Sequence, residues 1–221
     1  VINASVAGYT SFQGRKRLDQ LLEYRPHYVC IYFGWNDHWI LPSGYSDQFH
    51  YDLIHSFKLV QLTKILWARL MDVRDYRVPL DDYEANLAAM VEQLHANRVI
   101  PVLIGAPAGY AGKGMPRWAF QFYQEYYRMT PEEIRHIPQT HQAYAEATAR
   151  VAKGHKAILV DMQSLLERLN PSLKPFFRND LIHLQERGHE AVADEIYNQI
   201  QSYNAANGLT WPQLRASQAG H

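Results

Sequence analysis

The sequence predicts an α/β domain built on a three-layer, flavodoxin-like parallel sheet, and two observations predict it. Short apolar, β-rich runs recur at Val1 to Ala4, Tyr28 to Phe33, Val99 to Ile104 and Ala157 to Val160, and segments of helical period flank them. Such alternation is the pattern of a parallel sheet covered on both faces. A chain of 221 residues, 47% of them hydrophobic, can bury one sizeable core, so a single domain is expected over residues 1–203.

Each element has its own warrant. Val1 to Ala4 opens the chain as a strand. Arg15 to Tyr24, after Gly14 and closed by Pro26, reads as the crossover to the strand at Tyr28 to Phe33, giving a right-handed βαβ unit. Cys30, the sole cysteine, excludes an internal disulfide and reads as a small buried hydrophobe. The stretch from Asp37 to Asp82 is longer than a simple connection and contains helical period from about Tyr51 to Val73. Residues 38–82 are therefore read as an insertion over one edge of the site. From Tyr83 to Asn97 a helix is predicted, with Tyr83, Leu87, Met90, Val91 and Leu94 on one stripe. The excursion from Ala106 to Pro138 is aromatic at Trp118, Phe120, Phe122, Tyr123, Tyr126 and Tyr127; it packs a lid or core, or offers a platform to a sugar or acyl group. Phe176 and Phe177 read as core or pocket floor. Val192, Ile196 and Ile200 line one face of the last helix, and residues 204–221 read as a polar, frayed tail.

Composition excludes several classes. Acidic and basic residues balance at 22 each without a basic stripe, so no nucleic-acid partner is expected. No apolar run approaches the roughly 20 residues that span a bilayer, so no transmembrane segment is expected and a soluble chain is. The chain has eleven histidines but lacks a zinc spacing such as H-E-x-x-H, and neither a metal nor another cofactor is expected. His38, His50 and His55 are scattered through the insertion, where structural roles are expected. With Val1 where an initiator methionine would stand, no signal peptide can be read.

The chemistry gathers in three blocks. In Asn179-Asp180-Leu-Ile-His183-Leu184, with Gly188-His189 behind, the three-residue gap lets the Asp180 carboxylate fold back onto the Nδ1 of His183. That pair is a base and the group fixing its tautomer. Gly8, in a loop after a strand, lets a backbone N–H approach substrate closely. Asn36, in Gly34-Trp35-Asn36-Asp37, could give a side-chain N–H to the same oxyanion. Both precede or follow strands where open α/β sheets bind ligands. Trp35, Asp37, His38 and Trp39 are candidate pocket residues, with Asp37 better suited to holding the loop than to touching substrate.

These blocks resemble those of the SGNH (GDSL-type) hydrolases. Val1 to Ser11 with Gly14 is similar to the family's glycine block, Gly34 to Asp37 to its asparagine block, and Asp180 to His183 to its D-x-x-H block. The resemblance implies that Gly8 and Asn36 form an oxyanion hole and that Asp180 and His183 belong to a catalytic triad acting on a carboxylic ester through an acyl-enzyme. It also implies a Gly-Asp-Ser block, which occurs nowhere in the sequence. The nucleophile is therefore expected upstream of Val1, together with the fold's first strand, in a chain truncated at its start and inactive as it stands. Ser5 and Ser11 are poor substitutes, Ser11 resembling a residue of the glycine block itself. Two rivals stay open: an enzyme removing or transferring acetyl groups on carbohydrates, and a non-catalytic binding domain.

Overall fold

The computed structural model describes residues 1–40, 45–71, 75–110, 114–127 and 129–210. Among these, three strands form one parallel sheet, β1 (Tyr28–Ile31), β2 (Ile100–Gly105) and β3 (Ile158–Asp161), in the order β1-β2-β3. Tyr28 is in register with Ile100 and Val102 with Ile158. Eight helices surround the sheet: α1 (Ser11–Leu22), α2 (Asp47–Ile54), α3 (Lys58–Leu70), α4 (Leu80–Ala96), α5 (Arg117–Tyr127), α6 (Pro131–Gly154), α7 (Met162–Leu169) and α8 (Glu186–Asn207).

Alternation along the strands divides the core into two layers. Ile31 and Leu103 face one side, where Phe12 and Leu18 of α1, Leu87 and Met90 of α4 and Val151 of α6 close over them. Val102, Ile104, Ile158 and Val160 face the other, packed with Leu166 of α7, Phe176, Phe177 and the half-buried Ile196 and Ile200 of α8. The result is a three-layer α/β fold.

Several expectations need correction. Val1 to Ala4 is coil, exposed from Val1 to Asn3, and not a strand. β-propensity yields a strand only where a neighbour accepts its backbone bonds, and the outer edge of β1 carries none among the described residues. Cys30 is exposed rather than buried, for it lies on that edge strand. The stretch at 51–73 is two helices. Ser46 caps the first by accepting from the Phe49 N–H, and Ser56 ends it with a hydroxyl bond to the Asp52 carbonyl. Residues 72–73 lie outside the described set. The crossover helix starts earlier, at Ser11, because Thr10 and Gln13 form a capping box. Residues 204–207 belong to α8, not to a tail: the Tyr28 hydroxyl donates to the buried Asn204, and Gly208 ends the helix in the left-handed conformation. The predicted tail beyond Thr210 lies outside the described residues.

Candidate active site

The D-x-x-H loop is built as a tight hairpin after the second core layer. The Arg178 N–H donates to the His183 carbonyl, and Phe177 bridges Leu184. Leu181 turns the chain with φ 63°. Asp180 Oδ1 accepts from the backbone N–H of Ile182 (2.9 Å) and of His183 (2.8 Å). Its Oδ2 stands 2.8 Å from His183 Nδ1. An ionised carboxylate only accepts, so Nδ1 carries the proton and Nε2 is the acceptor. Burial alone would raise the Asp180 pKa; the hydrogen bonds from the His183 and Ile182 backbone and the His183 ring outweigh it and hold the carboxyl below its ordinary value. The His183 side chain is 64% exposed, which leaves its Nε2 face accessible.

Two contacts fix this hairpin to the end of the sheet. Tyr123 of α5 donates its hydroxyl to the Asp180 carbonyl, and the Gly109 N–H, after β2, donates to the Leu181 carbonyl. At Gly109 a Cβ would lie 3.0 Å from Leu181 Cα, so the approach requires glycine. Leu181 and Ile182 pack in a small apolar cluster with Trp35 and Trp39. The two tryptophans share that cluster with the D-x-x-H loop. The aromatic excursion divides: Tyr123 is buried in that cluster, while Trp118 and Tyr126 are exposed.

The asparagine loop follows β1. Asn36 donates Nδ2–H to the Tyr9 carbonyl at 3.0 Å, joining it to the glycine loop. Trp35 Nε1 donates to the Pro107 carbonyl, joining it to the loop after β2. Asp37 and His38, named as candidate pocket residues, are sequestered instead. Asp37 is fully buried and accepts from the backbone N–H of Ser11 (2.8 Å) and Gly34 (3.0 Å), so it stitches the two loops together. Burial pushes its pKa up to about 6 despite those bonds. His38 lies under the loop with Nε2 3.0 Å from Nδ1 of His141 on α6, and His141 Nε2 is 2.8 Å from the Ala106 carbonyl. Since that carbonyl only accepts, His141 donates through Nε2 and His38 donates to His141, both rings being neutral. Trp35 stacks on His141 at 4.1 Å.

Burial lowers the pKa of both rings, His141 to about 4, and in His38 the neighbouring His141 adds to the effect. Between their ordinary value of about 6.5 and these lowered ones, the unfolded chain binds protons that the folded one refuses. Their contribution is whole above about pH 6.5 and is lost as pH falls toward 4; Asp37, whose folded pKa is raised, acts oppositely with one proton between about 4 and 6. Urea denaturation should therefore show the stability gap between the wild type and His141→Gln narrowing from pH 7 to pH 5. A gap independent of pH would remove the neutral pair from the account.

The glycine loop is held from the insertion. Gly8 has φ 80°, a conformation costly for other residues. Its carbonyl accepts from Arg77 Nη1 at 2.8 Å. Arg77 also grips Asp47 through Nε and Nη2, both at 3.1 Å, and Asp47 accepts from Thr10 Oγ1 and Gln13 Nε2. Sequence reasoning did not find Arg77, Asp47 or His141. Ser11 is buried, its hydroxyl bonded to Asp37 and approached by Asn86 Nδ2, while the exposed Ser5 hydroxyl bonds to Asn3. Among the described residues no three His, Cys, Asp or Glu side chains gather as a metal-ligand group, and no helix is long and apolar enough to cross a membrane.

The Asp180–His183 pair stands on a hairpin tied to the loop after β2 of a three-layer α/β domain, and the domain is of the ester-hydrolysing class. The family model for the GDSL-like lipase/acylhydrolase family matches residues 1–191, and the chain belongs to that family. No curated protein sequence matches it significantly. Solved structures share the fold. A variant of Axe2, an acetyl-xylooligosaccharide esterase from Geobacillus stearothermophilus, aligns over 96% of this chain and 73% of its own, with TM-score 0.58 and 18% identity. LAE5, an alpha/beta hydrolase from the Lake Arreo metagenome, covers 87% of this chain and 68% of its own at TM-score 0.56 and 19% identity. A protein from Parabacteroides merdae described as a GDSL-like lipase covers 87% and 68% at TM-score 0.52 and 17% identity.

Proposed function

We propose that this chain carries the base, its orienting carboxylate and the oxyanion donors of a serine-type carboxylic ester hydrolase. The observation that carries the reading is the 2.8 Å contact between Asp180 and His183 Nδ1, which leaves an exposed Nε2 ready to take a hydroxyl proton. Asn36 spends one amide hydrogen on Tyr9 and keeps a second for the oxyanion; Gly8 supplies a backbone N–H. The hydroxyl nucleophile comes from chain upstream of Val1. It attacks the ester carbonyl as His183 accepts its proton, the tetrahedral oxyanion is held by Gly8 and Asn36, and the alcohol leaves with the proton from His183. Water, activated by the same ring, then frees the acid.

Trp35 and Trp39 beside Leu181 and Ile182 favour an acylated sugar as the finer reading, since aromatic faces stack on sugar rings; the likeness to Axe2 agrees with it. A fluorophosphonate probe tests the mechanism on this chain and on a form extended upstream. The expected result is labelling of the extended form alone, at a serine before Val1, with turnover of aryl acetates and acetylated xylo-oligosaccharides. Labelling at Ser5 or Ser11 would overturn the upstream nucleophile. Absence of both labelling and turnover in the extended form would favour a binding domain.

A further inference from the structure

His141, on α6, grips the asparagine loop on both sides of Asn36. Trp35, the residue before it, stacks on the His141 ring at 4.1 Å with 23° between the planes. His38, two residues after it, puts Nε2 3.0 Å from His141 Nδ1, and His141 Nε2 stands 2.8 Å from the carbonyl of Ala106, just past β2. Both imidazoles are buried, His38 at 4% and His141 at 5% exposure, so bulk water cannot replace either bond. The loop that carries Asn36 is thereby anchored to the end of the sheet through a side chain from a distant helix.

The position demands an imidazole. A side chain here has to accept from His38, donate to Ala106 and lie flat against an indole, and a neutral imidazole carries one acceptor and one donor on a single planar ring. A phenyl ring would stack equally well but would strand the His38 donor and the Ala106 carbonyl, each costly when buried. Packing alone requires neither bond. We propose that His141 is a positioning residue whose ring, held between His38 and the end of β2, fixes the asparagine loop so that the Asn36 amide is aimed before charge develops on the substrate oxygen. The proposal rests on the reading of Asn36 as an oxyanion donor.

Two substitutions separate the bonds of the ring. In His141→Asn the side-chain oxygen can take the place of Nδ1 and accept from His38; in His141→Gln the longer amide reaches the place of Nε2 and serves Ala106 alone. The Asp37 and His38 N–H groups both donate to the Gly34 carbonyl and report on the loop. On the 221-residue chain their amide exchange should be roughly tenfold faster or more in His141→Gln, with β2 protection unchanged, and near wild type in His141→Asn. In the upstream-extended form His141→Gln should lower kcat on aryl acetate about tenfold with KM unchanged, and Asn36→Ala should lower it about 100-fold. With Asn36→Ala already present, His141→Gln should change kcat no further, whereas a structural role would lower it by the same factor in both backgrounds. That additive result overturns the proposal, as does unchanged exchange or a His141→Asn form as loose as His141→Gln. An extended wild type without turnover overturns the hydrolase reading and the oxyanion role with it, while exchange on the 221-residue chain still decides whether His141 fixes the loop. Should His141→Gln fail to fold, His38→Phe removes the donor from the other side and takes its place in both measurements.

Discussion

Replacing His183 by alanine in a form extended upstream of Val1 should, on the proposed mechanism, lower turnover by about 10,000-fold or more with KM little changed, because a base acts on the moving proton and not on ground-state binding. Asp180→Asn is the sharper companion. Its Oδ1 can still accept from the Ile182 and His183 N–H groups, so the hairpin should survive and the melting temperature should move little. Its amide, however, presents a donor to Nδ1, which drives the ring to the tautomer with hydrogen on Nε2 and removes the base. A loss of about 100- to 10,000-fold in kcat on aryl acetate is expected. A His183→Ala form that keeps full turnover would show that His183 is not the base, an Asp180→Asn form that keeps it would show that Asp180 does not set the tautomer, and an Asp180→Asn form that loses turnover only by unfolding would assign Asp180 to the hairpin alone.

That pair was legible in the sequence because it is local: three residues separate donor and acceptor, and a turn is enough to bring them together. The strands at Tyr28, Val99 and Ala157 were legible for a related reason, since β2 is buried on both faces and its sequence reads as an unbroken apolar run. Val1 to Ala4 also begins with two β-formers and failed, because a strand exists only with a neighbour. Cys30 failed with it, at an edge where alternation no longer implies burial. The helix α6 carried a readable signal that the aromatic run obscured: Thr130, Pro131 and Glu133 form a capping box with proline in the first turn. His38 and His141 lie 103 residues apart, and no spacing rule joins them. The insertion was read as a cover over the site, and its polar residues gave no sign that two of them hold the glycine loop.

Those two residues carry the second large effect. Removing the Asp47 carboxylate by Asp47→Ala should destabilise the fold by about 3 kcal/mol, read as a shift in the urea midpoint without a change in slope. The magnitude follows from what is left behind. Arg77 and Asp47 side chains are 14% and 7% exposed, and the variant strands a mostly buried guanidinium while also taking the acceptor from Thr10 and Gln13. A surface ion pair would be worth a small fraction of this, so a change below about 1 kcal/mol would mean that water screens the pair. Arg77→Lys separates stability from positioning. Lysine keeps the charge against Asp47 but has no planar fork with which to hold Asp47 and the Gly8 carbonyl together. Amide exchange near Gly8 and Tyr9 should accelerate severalfold in that variant while the protection of β2 is unchanged. In the upstream-extended form kcat should, on the proposed mechanism, then fall with the freedom of that loop, because an oxyanion donor acts only when it is fixed before the charge develops. Exchange and kcat that both match the wild type would leave the Arg77 bond to Gly8 without a positioning role.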